Sequence, residues 1–163
     1  MNLFTLLAWL TGCSRKPAPP PQPAVPPPTV ADLHFPVAVL YPRSLSLLFK
    51  DANDLGVMYV QVVINLDDAP TLIDSDFHIY TMQKLRSTHG GLWLMAHPSG
   101  GTEVSFELQR APQSGLQAAL DAMSTQLGKE TWLDADELDK KRAKLARQKT
   151  LTGMMGIVKP PDY

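Results

Sequence analysis

The segment Thr102-Glu-Val-Ser-Phe-Glu-Leu-Gln109 alternates between apolar and polar residues, and the fold prediction starts from it. Val104, Phe106 and Leu108 fall on one face of a strand, and polar side chains fall on the other. A period of two is typical of a strand that is buried on one side. Antiparallel sheets commonly have one face on a core and the other in water, so the segment predicts an antiparallel sheet.

Three segments upstream also have the character of strands. Residues 57–66 are rich in β-branched residues and apolar on both faces, which predicts a central strand. Residues 77–85 predict a second strand. Residues 33–41 predict a third, with one apolar face formed by Leu33, Phe35, Val37, Val39 and Tyr41. Because Pro36 cannot donate to a ladder, we expect this strand at an edge of the sheet or with a bulge.

Two further segments have less definite patterns. Residues 92–97 are a short apolar run, and a Gly-rich turn joins them to 102–109, which predicts a β-hairpin. Residues 44–55 fit a helix that Ser44 and Gly56 would cap. They also fit a strand with Leu45, Leu47 and Phe49 on one face. The helix is our first interpretation, and the strand stays open.

Two helices are predicted near the C-terminus. Ser114-x-x-Gln117 matches a capping box, and it precedes an apolar stripe that we expect to pack on the sheet. The stripe consists of Leu116, Ala119, Leu120, Met123 and Leu127. The second helix, residues 134–150, has acidic residues first and basic residues afterwards, an order that complements the helix dipole. Its apolar stripe is thin, so we expect much of this helix to be solvated.

Together these segments predict one α+β domain, residues 31–158, followed by a tail of residues 159–163. The domain would contain a largely antiparallel sheet of four or five strands and two C-terminal helices. Arg15 and Lys16 are the only charged residues before Asp32, which leaves 13 basic and 16 acidic side chains in the domain. No basic patch interleaves with aromatic residues, so we do not expect nucleic acid as a partner.

The N-terminus has the pattern of a lipoprotein precursor. Residues 1–12 contain no charged side chain, and their apolar run is too short to cross a bilayer but has the length of a signal-peptide core. The run ends in Leu10-Thr11-Gly12-Cys13, which resembles the lipobox of bacterial lipoproteins. This resemblance implies cleavage between Gly12 and Cys13 and covalent lipid on Cys13. Ser14 suggests the outer membrane with the domain facing the periplasm, and the inner membrane is the alternative.

Residues 13–30 would tether the domain to that lipid. Residues 17–28 contain eight prolines in twelve positions, which predicts extended polyproline II. At ~3.1 Å per residue such a segment spans roughly 37 Å. We interpret it as a stiff spacer rather than as a ligand for an aromatic groove.

No known catalytic pattern is present. The chain lacks G-x-S-x-G, S-x-x-K and phosphate-binding glycine motifs, and Cys13 is its one cysteine. Four histidines lack the spacing of a zinc site, namely His34, His78, His89 and His97. Four aspartates surround turns without EF-hand spacing, namely Asp67, Asp68, Asp74 and Asp76. We therefore expect no enzyme, no metal and no cofactor besides the lipid.

These observations favour a lipoprotein whose domain binds a protein partner in an envelope assembly of the secretion, conjugation or pilus type. The candidate partner-binding residues are Lys141 and Lys144 on the basic helix and Met154 and Met155 in the segment after it. The alternative is an immunity or exclusion lipoprotein that neutralises a periplasmic toxin or phage. A third hypothesis, an envelope hydrolase or ligand carrier, would gain from a pocket that unites a histidine with Asp74 or Asp76.

Overall fold

Two apolar clusters, one on each face of an antiparallel sheet, form the core of the computed structural model, which describes residues 26–42, 46–59, 69–97, 100–131 and 133–158. The six strands have the order β2-β1-β4-β5-β6-β3. Their bounds are β1 Val37–Leu40, β2 Ser46–Phe49, β3 Val57–Tyr59, β4 Thr71–Ile73, β5 Ile79–Ser87 and β6 Gly101–Arg110. The α+β class and the largely antiparallel sheet are confirmed, with one strand more than expected.

Strand β1 shows the predicted alternation at an unexpected place in the sheet. Val37 and Val39 lie in the cluster on one face, and Ala38 and Leu40 lie in the cluster on the other. All four are buried, because β1 pairs with β2 on one side and with β4 on the other. The prediction of an edge strand or a bulge was wrong. Pro36 precedes the strand and therefore takes no place in its ladder.

Strand β3 lies at an edge, so the prediction of a central strand was wrong for the part that the structure describes. Val57 pairs with Glu103 of β6, and its side chain is 49% exposed. The sheet curls until Val57 shares a cleft with Leu47 and Phe49 of β2, the other edge strand. The exposed side chain of Val57 therefore lies against this cleft. Residues 60–66 lie outside the described residues.

The predicted hairpin was also wrong. Residues 92–97 lie mostly in a short helix, α2 (Gly91–Ala96), and the partner of β6 is β5. A short apolar run has the same composition in a strand and in a helix, so its pattern does not distinguish the two. In the described part of residues 44–55 a strand is followed by a helix, so each interpretation is correct for part of the segment. The strand β2 is followed by a one-turn helix, α1 (Ala52–Leu55), which Asp51 caps by accepting from two backbone N–H groups.

Three helices cover one face of the sheet: α3 (Leu116–Leu127), α4 (Ala135–Leu145) and α5 (Leu151–Val158). Met123 and Leu127 of α3 pack in one cluster with Ala38 and Ile73 of the sheet, which confirms the predicted packing for this part of the stripe. Leu116, the first residue of the stripe, is instead 39% exposed. The capping box was wrong. Gly115, with φ of 106°, is the N-cap of α3, and the Ser114 hydroxyl accepts instead from the Ile79 N–H at 3.4 Å.

The predicted helix 134–150 and the segment after it contain two helices. Asp134 caps α4 by accepting from the Glu137 N–H at 2.7 Å, and α4 ends at Leu145. A turn then leads into α5, which packs against α3, α4, β1 and β2. The two glycines in α5 do not break it. No helix in the described part of the chain is long and apolar enough to cross a membrane.

The opposite face is covered by shorter pieces. Residues 26–36 run against it before β1 begins, and we call them the strap. The strap contains a 3-10 turn, Val30–Asp32, and it places Leu33 in the cluster on this face, where Leu33 is 5% exposed. Leu55 of α1 is fully buried in the same cluster.

Candidate functional site

Only part of the predicted functional residues lies in the described structure. Gly12 and Cys13, the signal segment and the tether up to residue 25 lie outside the described residues. The lipobox therefore stays a prediction from the sequence. The first prolines of the strap line a cleft together with residues of the sheet.

Met154 and Met155 are core residues, so the expectation that they dock on a partner was wrong. Their exposed fractions are 0% and 3%, and both lie in the cluster between the sheet and the helices. The two apolar pairs, Met154-Met155 and Ile157-Val158, are separated by Gly156 and lie in α5, which packs on its own domain. An apolar pair near the end of a chain does not distinguish a docking tail from a final core element.

Lys141 contacts its own chain. Its ammonium group donates to the Ile157 carbonyl at 3.2 Å, near the C-terminus of α5. A cation at this end of a helix binds carbonyls that have no helical partner and interacts favourably with the dipole. Lys141 therefore helps to hold α5 beside α4, and it is half-buried in this position.

The other basic residues of this region form an exposed surface. We call it the basic surface, and its five members are Lys140, Arg142, Lys144, Arg147 and Lys149. Arg142 extends toward Gly128 at the end of α3, where a Cβ on that glycine would approach the guanidinium to 3.1 Å. Within the described ranges, none of the five forms an ion pair with a carboxylate. The surface is therefore free to attract an anionic partner.

A second group of polar residues meets at the turn between β4 and β5. Asp74 is fully buried, and its carboxylate accepts from the backbone N–H groups of Asp76 at 3.0 Å and His78 at 2.8 Å. Its other oxygen lies 3.1 Å from Nδ1 of His78. We call this arrangement the Asp74 turn. Three polar contacts satisfy a carboxylate that is costly to bury without them.

The strap is fastened to this turn. The Ser75 N–H donates to the His34 carbonyl at 2.9 Å, and the His34 ring contacts the Asp76 carboxylate through Nδ1. This hydrogen bond and the charge of Asp76 raise the pKa of the exposed His34 imidazole above its ordinary value. The His34 and His78 rings lie with their centroids 6.3 Å apart.

The sequence did not show that these four side chains meet. Asp74, Asp76 and His78 alternate along one turn, and this spacing was the available signal, but only the fold adds His34. A carboxylate that holds one ring nitrogen orients the other nitrogen of an imidazole. Among the described residues, no hydroxyl or amine side chain is hydrogen-bonded to either ring, and no three metal-ligating side chains converge.

The other two histidines have a different setting. His89 and His97 both stack on Trp93 of α2, with ring centroids 3.9 Å and 4.6 Å from the indole. Nδ1 of His97 also lies 3.0 Å from the Trp93 carbonyl. Through these contacts both rings lie against Trp93 of the short helix α2, and among the described residues neither ring contacts the Asp74 turn.

Comparison with models of known protein families, with curated proteins and with solved structures finds no similar protein. The function is therefore argued from the surfaces of this molecule.

Proposed function

We propose that this chain is a lipid-anchored bacterial envelope protein whose domain binds an acidic surface of a protein partner through the basic surface on α4. The anchor part of the proposal is supported by Leu10-Thr11-Gly12-Cys13 at the end of an apolar run. The binding part is supported by one observation above others. Five exposed cations lie within ten positions, three in the second half of α4 and two just after it, and none is ion-paired with a carboxylate among the described residues.

The charge distribution makes this surface distinct from the rest of the domain. The domain has more acidic than basic side chains, yet residues 140–149 contain six basic and no acidic residues. A concentrated patch of one sign steers a partner of the opposite sign and increases the association rate at low salt. The acidic start of α4 at residues 134–139 repels the same partner. The helix therefore presents a directional surface with one attractive end.

The tether gives this domain room to meet a partner away from the membrane. A lipid on Cys13 would keep the domain at one membrane. The extended Pro-rich segment would hold the domain a short distance from that membrane. The outer membrane, with the domain in the periplasm, is the location that Ser14 favours. The role would be that of a subunit or accessory of an envelope assembly.

The partner surface is tested by charge reversal in the full-length membrane protein. The variant is Lys144→Glu with Lys149→Glu, and the matched control is Lys50→Glu with Arg86→Glu, two other exposed cations. After crosslinking in membranes, we expect one stoichiometric partner with the native chain and the control, and a loss of about tenfold or more with the variant. Equal capture by variant and control would contradict this surface as the binding site.

The anchor is tested by the intact mass of the protein purified from membranes, beside Cys13→Ala. We expect loss of residues 1–12, a gain of acyl chains in the native chain, and no gain in the variant. An unmodified full-length mass would contradict the anchor. The charge-reversal experiment tests the binding surface independently of this result.

A further inference from the structure

A cleft separates the start of the strap from the sheet, next to the Asp74 turn. Its volume is about 560 Å³, within the usual range for sites that bind small organic molecules. Pro26, Pro27 and Pro28 form one wall, and Tyr80 of β5 and Leu108 of β6 belong to the sheet side. Tyr80 and Leu108 are core residues with 3% and 4% exposure, so this side is rigid. We call this space the strap cleft.

The polar groups of the strap cleft differ in whether they already have partners. Arg110 pairs with Tyr80 across the two strands and lines the cleft, and no carboxylate in the described part of the chain is ion-paired with it. Asp32 also lines the cleft, but its carboxylate already accepts from the Thr29 N–H at 2.7 Å and the Thr29 hydroxyl at 2.8 Å. The Asp32 carboxylate is thus held by Thr29, whereas Arg110 has no carboxylate partner among the described residues.

His78 adds a second oriented polar group. Its Nδ1 is held by the buried Asp74, and its ring lies edge-on to Tyr80 with centroids 6.5 Å apart. Burial of the Tyr80 phenol, followed by the nearby Asp74 carboxylate, raises the pKa of Tyr80, so this hydroxyl is a neutral group at physiological pH. An arginine, a phenol and a fixed imidazole thus border a space with a proline wall.

We propose that the strap cleft binds a small organic anion with an aromatic or otherwise apolar body. The pyrrolidine rings of the strap contact the body, the small exposed edges of Tyr80 and Leu108 lie at the floor beneath it, and Arg110 binds the anionic group. A guanidinium recognises carboxylate, sulfonate or phosphate oxygens with paired hydrogen bonds. This site is separate from the basic surface on α4 and adds a ligand to a protein that we otherwise describe as a binder of proteins.

The test uses two probes that share an apolar body and differ in charge. The anionic probe is 8-anilino-1-naphthalenesulfonate, and the neutral probe is N-phenyl-1-naphthylamine, which lacks the sulfonate. Fluorescence titration of the folded full-length protein should give saturable 1:1 binding of the anionic probe. In Arg110→Met we expect its Kd to rise about tenfold or more, because a charge-assisted contact is lost. The neutral probe should bind Arg110→Met and the native chain equally.

The control is Arg86→Met, which removes an exposed arginine of β5 that does not line the strap cleft. It should bind both probes like the native chain. Arg110→Lys should lie between the native chain and Arg110→Met, because it keeps the charge and loses the planar fork. Equal binding of the anionic probe by Arg110→Met and the native chain would place the probe elsewhere and overturn the proposal. Equal weakening by Arg86→Met would do the same.

Discussion

The two faces of the sheet are closed in different ways. Three helices of eight residues or more cover one face, and their buried side chains form a continuous cluster with Ala38, Leu40 and Ile73. The strap and the one-turn α1 cover the other, and there several large side chains of β5 and β6 stay half-buried. We call these the helix face and the strap face. Both faces contain a buried apolar cluster, but only the strap face is closed by short segments, and the strap cleft lies there.

The two faces should be stabilised in different ways. Both should contribute to the free energy of unfolding, because large, fully buried side chains lie in both clusters. On the helix face this burial involves long helices, whereas the strap face also depends on a few polar contacts at the Asp74 turn. The following substitutions test this division.

The largest effect is expected on the helix face. Met154→Ala removes a side chain with 0% exposure from the cluster between α5 and the sheet. We expect a loss of about 3–5 kcal/mol in the free energy of unfolding, from lost burial and the cavity that remains. Urea denaturation measures this. Met154→Leu, which keeps the volume, should cost less than about 1.5 kcal/mol. A loss below about 1 kcal/mol for Met154→Ala would show that Met154 is not tightly packed between α5 and the sheet.

A somewhat smaller effect is expected at the Asp74 turn. Asp74→Ala leaves the N–H groups of Asp76 and His78 without their acceptor in a fully buried position. We expect a loss of about 2–4 kcal/mol in the free energy of unfolding. The matched control is Asp76→Ala, which removes an exposed carboxylate and should cost less than about 1 kcal/mol. Similar losses in the two variants would show that burial of Asp74 is not what matters.

The strap should contribute through its one deeply buried leucine. Leu33→Ala removes a side chain with 5% exposure from the strap face, and we expect a loss of about 2–3 kcal/mol. Leu116→Ala is the control, since Leu116 is 39% exposed and should cost less than about 1 kcal/mol. If Leu33→Ala cost no more than the control by urea denaturation, the strap would not be part of the folded domain.

The smallest effect is a pH dependence of the strap. The pKa of His34 is raised by Asp76, so its contribution to stability is complete below the unfolded value near 6.5 and is lost as pH rises through the higher folded value. An NMR titration of the His34 ring should show this raised pKa, and Asp76→Asn should lower it toward 6.5. Glu107→Gln, which removes an exposed carboxylate paired with Lys84, should leave the pKa of His34 unchanged. An unchanged pKa of His34 in Asp76→Asn would show that the contact does not exist in solution.

The helix face was largely predictable from the sequence, because long helices repeat their apolar residues over several turns. The stripe of α3 predicted its packing, and the charge order of α4 predicted an exposed helix. Where the pattern was short, the sequence was ambiguous. Met154 and Met155 form a single apolar pair between two glycines, and such a pair fits a tail as well as an eight-residue helix.

The strap face was less predictable, since its order depends on contacts between residues distant in sequence. The alternation of β1 and β6 was correct, but no local pattern tells which strand becomes an edge. The Asp74 turn joins residues of the strap to residues about 40 positions later. The strap cleft likewise needs prolines that the sequence assigned to a spacer. One wall of the strap cleft consists of consecutive prolines, and such a run has no alternation of apolar and polar residues that would predict which side contacts the domain.

The place of α5 in the chain has a consequence for biosynthesis. Strands β1 and β2 are translated early, yet the helix that packs on both is the last of the described elements. A nascent chain that ends before Leu151 therefore lacks the helix that covers part of β1 and β2. Transiently exposed apolar surface of this kind makes an incomplete chain prone to aggregate. The domain must therefore complete its folding after most of its length has been synthesised.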